Sequence, residues 1–185
     1  AYILQGYFNL PKILEITLHN GWDPVGGKQL GLQLGEAEDF KSYDELFDAY
    51  KKQIEHFADI KVKGSNMITR IYAKYMPAPF LSIITDDCIT NGKDYNAGGA
   101  RYNTNYLQGV GIGTITDSLS AIKYNVYDKK NFTMGELMKA LQDNFEGEEH
   151  VRLYNLVSRK TPKYGNDDDY ADAIMKEVFT FYKNT

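Results

Sequence analysis

The chain has 185 residues and a mass of 21.1 kDa, 43% of its residues are hydrophobic, and 25 acidic against 21 basic side chains give a formal charge of −4. A chain of this length and apolar content can bury a sizeable core without disulfides or metal, which excludes a disordered chain. The basic residues are scattered, which disfavours nucleic acid as a partner, and no apolar run reaches the ~18 to 20 residues of a membrane span. The single cysteine, Cys88, cannot form an intramolecular disulfide, so we expect a cytoplasmic protein. Because residue 1 is not Met and the opening has helical periodicity, we expect an internal fragment of a longer chain.

The first 41 residues are predicted to form a buried helix followed by a loop. Apolar residues between Tyr2 and Asn20 recur at mixed three- and four-residue spacings, which favours a largely buried helix. Pro11 has no N–H group, so it either kinks this helix or begins a second one, and Gly21 is the expected stop. The glycine-rich segment 21–41 indicates a loop with room for a small hairpin.

A long helical region is predicted over residues 42–76. Ser42 and Glu45 have the spacing of a capping box, in which hydroxyl and carboxylate satisfy each other's backbone donors. An apolar stripe and a charged face follow, and the helix is expected to resume past Gly64 and to stop at Pro77.

The segment 77–128 is predicted to contain the main strand. Phe80–Thr85 is a short apolar run that periodicity assigns neither to strand nor to helix. Glycine and asparagine between Asn91 and Asn105 indicate a structured loop. Val110–Ile115 alternates small and apolar residues, which favours a buried strand, with Thr116 or Asp117 as N-cap of a helix through Tyr127.

Residues 129–185 are predicted to be helical. Thr133 and Glu136 form a second capping box, and further helices are expected over 148–159 and 167–183. The acidic run that starts at Asp167 lacks the alternating ligands of a calcium loop and favours a helix N-terminus.

Three features could suggest chemistry but also have simple structural explanations. Gly109-Val110-Gly111-Ile112-Gly113 precedes a helix, yet its spacing fits neither dinucleotide-binding nor P-loop motifs, so close packing is the favoured interpretation. The three histidines lie too far apart for a zinc pair, so no metal site is predicted. Cys88 follows two acids, which disfavour a thiolate, and we expect a packed structural cysteine.

Longer strings of sequence resemble one known family. PFLSIITDDCITNGKDYNAGGARYN, GVGIGTITDSLSAIKYNVYD and TPKYGNDDDYAD are similar to the C-terminal half of the barrel in glycyl radical enzymes, the pyruvate formate-lyase-like family. The opening AYILQGYFNLPKILEITLHNGWDP resembles the segment that follows the active-site cysteine loop in that family. The four strings keep the order of the family and cover most of the chain.

The resemblance implies an α/β fold, a part of a ten-stranded glycyl-radical-enzyme barrel that is helix-rich with few strands in this fragment. We expect residues 1–185 to be a single fragment of the catalytic barrel domain. In chain order, its expected parts are a helix after the cysteine loop (1–20), a loop (21–41), helices (42–76), a barrel strand with loops and a helix (77–128), and outer helices (129–185).

The resemblance also implies radical chemistry that this chain cannot complete. The family uses a glycyl radical, installed by an activase with S-adenosylmethionine and a [4Fe-4S] cluster, to form a thiyl radical on a cysteine in a Gly-Cys-x-Glu motif. Neither that motif nor the radical-glycine motif occurs in these residues, so no catalytic residue and no bound cofactor are expected here. The expected partners of the full-length enzyme are the activase, a small-molecule substrate and a second copy in a homodimer, in the cytoplasm of an anaerobic bacterium.

The residues of these four segments also indicate which substrate to expect. They are most similar to the branch of the family that removes water from trans-4-hydroxy-L-proline to give a pyrroline carboxylate. The branch that dehydrates diols has an acidic residue at the position where this chain has Leu4. In the hydroxyproline branch a tyrosine after the cysteine loop lines the pocket, and Tyr7 matches it; the alternative is an ordinary half-buried tyrosine. A loop near the barrel mouth is expected to contribute Gly98, Gly99, Arg101, Tyr102 and Asn103, or only to connect elements.

Two alternatives remain open. In the first, the chain is part of another member of the same family: a formate acetyltransferase homologue, a diol dehydratase or a C–C or C–N lyase. A non-catalytic helical domain that binds a partner would be stable and monodisperse on its own, whereas a barrel fragment would expose apolar faces.

Overall fold

The computed structural model describes the backbone of residues 2–185 and the side chains from Gly6 onward. It divides into two compact units: unit 1 comprises 2–8 and Phe57–Gly109, and unit 2 comprises Asn9–His56 and Val110–Thr185. No helix of the described residues is long and apolar enough to cross a membrane. In chain order, the strands and α-helices are β1 (Tyr2–Asn9), α1 (Leu10–Leu18), β2 (Trp22–Asp23), β3 (Lys28–Gln29), α2 (Tyr43–Tyr75), α3 (Pro79–Ile84), α4 (Cys88–Asn91), β4 (Thr104–Val110), α5 (Ile112–Ile122), α6 (Met134–Gln142), α7 (Val151–Asn155) and α8 (Asp169–Asn184).

Unit 2 holds the larger apolar core. Most of its buried side chains come from α1, the first half of α2, α5, α6 and α8, and they include Leu10, Leu46, Ile54, Ile115, Leu119 and Val178. Tyr50 is also fully buried, and its hydroxyl donates to the Leu10 carbonyl over 3.3 Å. Two π-helical segments, Lys123–Asp128 and Leu156–Lys160, extend α5 and α7. Helix-on-helix packing therefore supplies the stability of this unit.

A buried glutamine fastens the glycine-rich loop to α2. Gln53 is completely buried; its Oε1 accepts from the Leu32 N–H over 2.9 Å, and its Nε2 donates to the Leu32 carbonyl over 2.6 Å. The loop contains the small antiparallel hairpin that its composition allowed, with Trp22 opposite Gln29. One side chain thus satisfies both backbone groups of a loop residue, as buried polar groups require.

Replacing Gln53 by leucine is expected to destabilise this loop by about 1.5 kcal/mol, because both Leu32 backbone groups would lose their partner. Faster proteolysis of the full-length protein within residues 24–35 would report the change. Gln142→Leu, which alters a residue of the same type at the end of α6, is the control. Equal cleavage rates for Gln53→Leu and the original chain would contradict the fastening role.

Unit 1 is less densely buried. It contains a two-stranded sheet of β1 and β4, the second half of α2, and the short helices α3 and α4. Among its described residues, the buried ones are Phe8, Ser65, Cys88, Gly99 and Ala100. Many of its large apolar side chains are exposed, among them Met67, Tyr75, Phe80, Ile83, Ile84 and Ile89.

The expected helix over Tyr2–Asn20 is wrong in its first half. Residues 2–9 form β1, which pairs with β4, and only Leu10–Leu18 is helical. Pro11 lies in the first turn of α1, so it begins a helix rather than kinking one. Pairing with a strand about 100 residues away overrode the local spacing, which cannot report a distant partner.

The expected buried strand over Val110–Ile115 is also wrong. β4 ends at Val110 and α5 begins at Ile112, separated by Gly111 at φ +82°. Thr116 does not cap the helix, because its hydroxyl donates to the Ile112 carbonyl within it. A left-handed residue ends the strand well before the alternation of residue types ends.

Several local signals are confirmed. The Thr133 and Glu136 capping box is complete, and α2 ends just before Pro77. The Ser42 hydroxyl accepts from the Glu45 N–H, while the carboxylate of Glu45 accepts from Lys41 instead. Helix α2 runs unbroken through Gly64. The apolar run after Pro79, which periodicity assigned neither to strand nor to helix, is helical and forms α3.

Candidate functional site

The candidate loop is a folded segment of unit 1 between Asp86 and Asn103. Gly98 adopts φ +81° and follows a 3-10 turn. Gly99 lies so close to the preceding backbone that a Cβ there would overlap the Lys93 carbonyl oxygen and come within 2.7 Å of its carbon. The paired glycines therefore have different roles: the first supplies a left-handed conformation and the second allows a close approach.

A carboxylate that the sequence analysis did not single out organises the loop. Asp94 accepts from the N–H groups of Ala78 and Asn96 and from the hydroxyl of Ser82, each over 2.8 Å. The Ser82 hydroxyl oxygen in turn accepts from the Tyr95 N–H. Its bond from the Asn96 N–H is an Asx turn, and an aspartate within a loop rich in glycine and asparagine is the signal that could have identified it.

These hydrogen bonds change the acidity of Asp94. Desolvation opposes the shift, but the donors from Asn96, Ser82 and Ala78 outweigh it and hold the pKa of this carboxyl below its usual 3.8. Because the folded pKa is the lower one, the stabilisation is fully present above pH ~3.8 and is lost as the pH falls through the folded pKa.

We therefore expect a pH-dependent effect of Asp94→Asn. The variant should lower the melting temperature of the protein at neutral pH, and the difference should shrink below pH ~3.8 as the original carboxylate protonates. Thermal unfolding of the full-length protein across pH ~2.5 to 7 measures it. Asp59→Asn, which removes an exposed partner of Lys63 in the same unit, is the control. A difference that stays constant with pH would contradict the assignment.

Arg101 is engaged within the loop. Its Nε donates to Asp87 Oδ2 over 2.8 Å and its Nη2 donates to Asp87 Oδ1 over 3.1 Å, forming a fork. The side-chain hydrogen bond from Arg101 holds the pKa of Asp87 below its ordinary value. A second carboxylate, Asp86, lies 3.7 Å from Nη1. Two of the guanidinium N–H groups are thus used by a carboxylate of its own chain.

Asparagine side chains brace the same loop. Asn91 Nδ2 donates to the Gly99 carbonyl over 3.0 Å, and Asn103 Nδ2 donates to the Ala100 carbonyl over 2.7 Å. Tyr102, the other predicted residue, has 78% of its surface exposed. The structure thus brings Gly99, Arg101 and Asn103 into one hydrogen-bonded loop and leaves the Tyr102 ring at its surface.

Cys88 is a buried residue of this loop. It begins α4 and is 2% exposed, next to Asp87 at φ +73°. Among the described residues, no group of three or more histidine, cysteine or acidic side chains could hold a metal ion. Burial confirms the packed position that was expected for this cysteine.

Tyr7 lies on β1 with 64% of its surface exposed. β1 pairs with β4, the strand that starts directly after the loop, so Tyr7 and the loop belong to the same unit.

The side chain of Leu4, which argued against a diol substrate, lies outside the described side chains. The glycine-rich string at residue 109 has a packing role at Gly111, where a Cβ would lie 2.6 Å from the Pro11 ring.

The fold and the sequence together place the chain in a family. A family model described as pyruvate formate lyase-like matches residues 1–185. The chain therefore belongs to the pyruvate formate lyase-like family, and its helix-rich α/β fold matches the structures of glycyl radical enzymes.

The relatives are more specific. The chain is 62% identical over 184 residues to trans-4-hydroxy-L-proline dehydratase from Clostridioides difficile, covering 100% of this chain and 23% of the relative. The crystal structure of hydroxyproline dehydratase from the same organism, with trans-4-hydroxy-L-proline bound, superposes with a TM-score of 0.94 over 99% of this chain and 23% of that one. The glycerol-bound B12-independent glycerol dehydratase from Clostridium butyricum is 38% identical, with a TM-score of 0.86 over 96% of this chain and 22% of that one. The chain thus spans about a quarter of the length of the relatives it matches.

Proposed function

We propose that this chain is part of a glycyl radical dehydratase that removes water from trans-4-hydroxy-L-proline to give a pyrroline carboxylate. One observation carries the proposal: identity to the hydroxyproline dehydratase is 62% over the whole chain, against 38% for a diol dehydratase of the same fold. Substrate preference differs between these relatives, so the much higher identity favours the hydroxyproline branch.

In this proposal residues 1–185 form one portion of the ten-stranded catalytic barrel, and the reacting cysteine and the radical glycine lie elsewhere in the full-length protein. A radical-SAM activase with a [4Fe-4S] cluster would install the glycyl radical, and the enzyme would act as a homodimer in the cytoplasm of an anaerobic bacterium. The described residues would then supply walls and loops of a closed cavity, which a radical intermediate needs for protection from water.

The apolar surface of unit 1 supports the barrel proposal. Phe80 is 84% exposed and Ile84 is 80% exposed, and further apolar side chains of α2 and α3 are also uncovered. A soluble protein rarely leaves so many large apolar side chains in water, so further barrel elements of the same polypeptide are the expected cover.

The 185-residue chain expressed alone is therefore expected to self-associate. Light scattering should show aggregates, because the uncovered apolar side chains of unit 1 would associate between copies. The full-length protein, measured in the same buffer, is the control. A compact monomer with a cooperative thermal transition would contradict the barrel proposal and favour the partner-binding helical domain.

The substrate proposal is tested with the full-length protein, activated without oxygen and checked for a glycyl radical by electron paramagnetic resonance. We expect trans-4-hydroxy-L-proline to be converted to a pyrroline carboxylate, and glycerol and propane-1,2-diol to be left unchanged. The same protein without activase is the control. Turnover of a diol but not of hydroxyproline would assign the chain to the other branch, and a radical with no dehydration of any of them would favour another lyase.

A further inference from the structure

The strongest connection between the two ends of the candidate loop is a clamp formed by Asp86, Asp87 and Arg101. The Arg101 side chain makes the two-pronged fork with Asp87, and the Arg101 N–H donates to the Asp86 carbonyl over 3.2 Å. Side chain and backbone of one residue thus attach to two successive residues that lie much earlier in the chain. All three residues belong to unit 1.

The geometry of the clamp distinguishes it from an ordinary surface ion pair. Isolated exposed pairs contribute little, but bidentate arginine and carboxylate pairs are the exception because both hydrogen bonds form at once. Asp87 also holds φ +73°, a conformation that aspartate and asparagine tolerate better than other non-glycine residues. The amide of Asn91 adds a cross-link to the Gly99 carbonyl inside the clamped segment.

Arg101, the later member of the clamp, lies just before the start of β4. Thr104, its first residue, follows Arg101 closely, and β4 pairs with β1, the strand that carries Tyr7. A slip of one residue between paired strands turns every side chain to the opposite face of the sheet. A fixed start of β4 therefore fixes which β4 side chains flank Tyr7 on the sheet.

We propose that Arg101 is a positioning residue: its fork with Asp87 holds β4 in register with β1 and so aims Tyr7 at the substrate. Its two hydrogen bonds go to Asp87, so the role assigned to Arg101 is to hold the chain rather than to bind the substrate carboxylate. This inference rests on the proposed function and on the predicted contact of Tyr7 with substrate.

A double-mutant cycle in the activated full-length enzyme tests the coupling. Arg101→Lys keeps the charge and loses the fork, and it is combined with Tyr7→Phe. We expect Arg101→Lys to lower kcat/KM for hydroxyproline about tenfold in the original background and less than about twofold in the Tyr7→Phe background, because it acts through the tyrosine. Glycyl radical content, measured by electron paramagnetic resonance, should stay the same in all four proteins.

Asp87→Asn provides the same cycle from the other partner, and it keeps a residue type suited to the left-handed conformation. Lys63→Gln, which removes an exposed ion pair with Asp59 in the same unit, is the control and should leave kcat/KM unchanged in both backgrounds. Equal losses of kcat/KM in the two backgrounds, or a lower melting temperature with unchanged kinetics, would overturn the positioning role. If the enzyme without substitutions carries the radical but does not dehydrate hydroxyproline, the proposed function is overturned and, with it, this inference.

Discussion

Replacing Gly99 by alanine is expected to destabilise the candidate loop by about 3 kcal/mol or more, at the upper end for overpacking, because the obstacle is backbone. The new methyl group would overlap the Lys93 carbonyl oxygen and lie 3.0 Å from the Asp94 carbonyl oxygen. Neither atom is the end of a flexible side chain, so relief requires the turn itself to open. Opening would break the Gly99 N–H bond to the Asp94 carbonyl and loosen the segment that Asp94 organises.

The adjacent glycine is the matched control. Gly98 has φ +81°, but no atom lies within 4 Å of the position that a Cβ would take, so Gly98→Ala costs only the left-handed conformation, about 1 kcal/mol. Thermal unfolding of the full-length protein and hydrogen exchange over residues 86–103 measure both variants. Equal destabilisation by the two substitutions would show that close packing at Gly99 is not what the loop depends on.

Tyr7→Phe is expected to lower kcat/KM for hydroxyproline by about 100-fold while leaving the glycyl radical intact. Removal of the hydroxyl takes away the one group of this side chain that can hydrogen-bond the leaving hydroxyl or the carboxylate of the substrate. The ring is kept, so packing along β1 changes little. Single-turnover kinetics separate a loss in substrate binding from a loss in the chemical step.

Tyr75→Phe is the control for this variant. Tyr75 lies in the same unit and is 66% exposed, close to the 64% of Tyr7, but it ends α2 rather than lying on β1. We expect its loss to leave kcat/KM unchanged. If Tyr7→Phe also had no effect, Tyr7 would be an ordinary strand residue, and the site of this chain would have to be sought in the loop.

Gly99→Ala and Tyr7→Phe distinguish two ways in which unit 1 can contribute to activity. Gly99 tests whether the loop must keep its shape, and Tyr7 tests whether a side chain on the neighbouring strand acts on substrate. A stability loss without a kinetic loss, or the reverse, would assign each residue to one of these roles.

The local features of this protein could be predicted from its residues alone. The Thr133 cap, the end of α2 before Pro77 and the small hairpin after Gly21 follow from side chains and glycines acting within a few residues of each other. The longer strings also identified the family, which the match over residues 1–185 confirms.

The strands, and the contacts that hold the loop together, could not be predicted in this way because they depend on the folded chain. Residues 2–9 are extended because β4 pairs with them, and β4 is followed by Gly111, where a Cβ would lie 2.6 Å from the Pro11 ring. The fork from Arg101 to Asp87 joins residues 14 positions apart. Strand pairing, close approach and a distant fork each depend on atoms that are far apart along the chain, and periodicity and spacing contain no information about them.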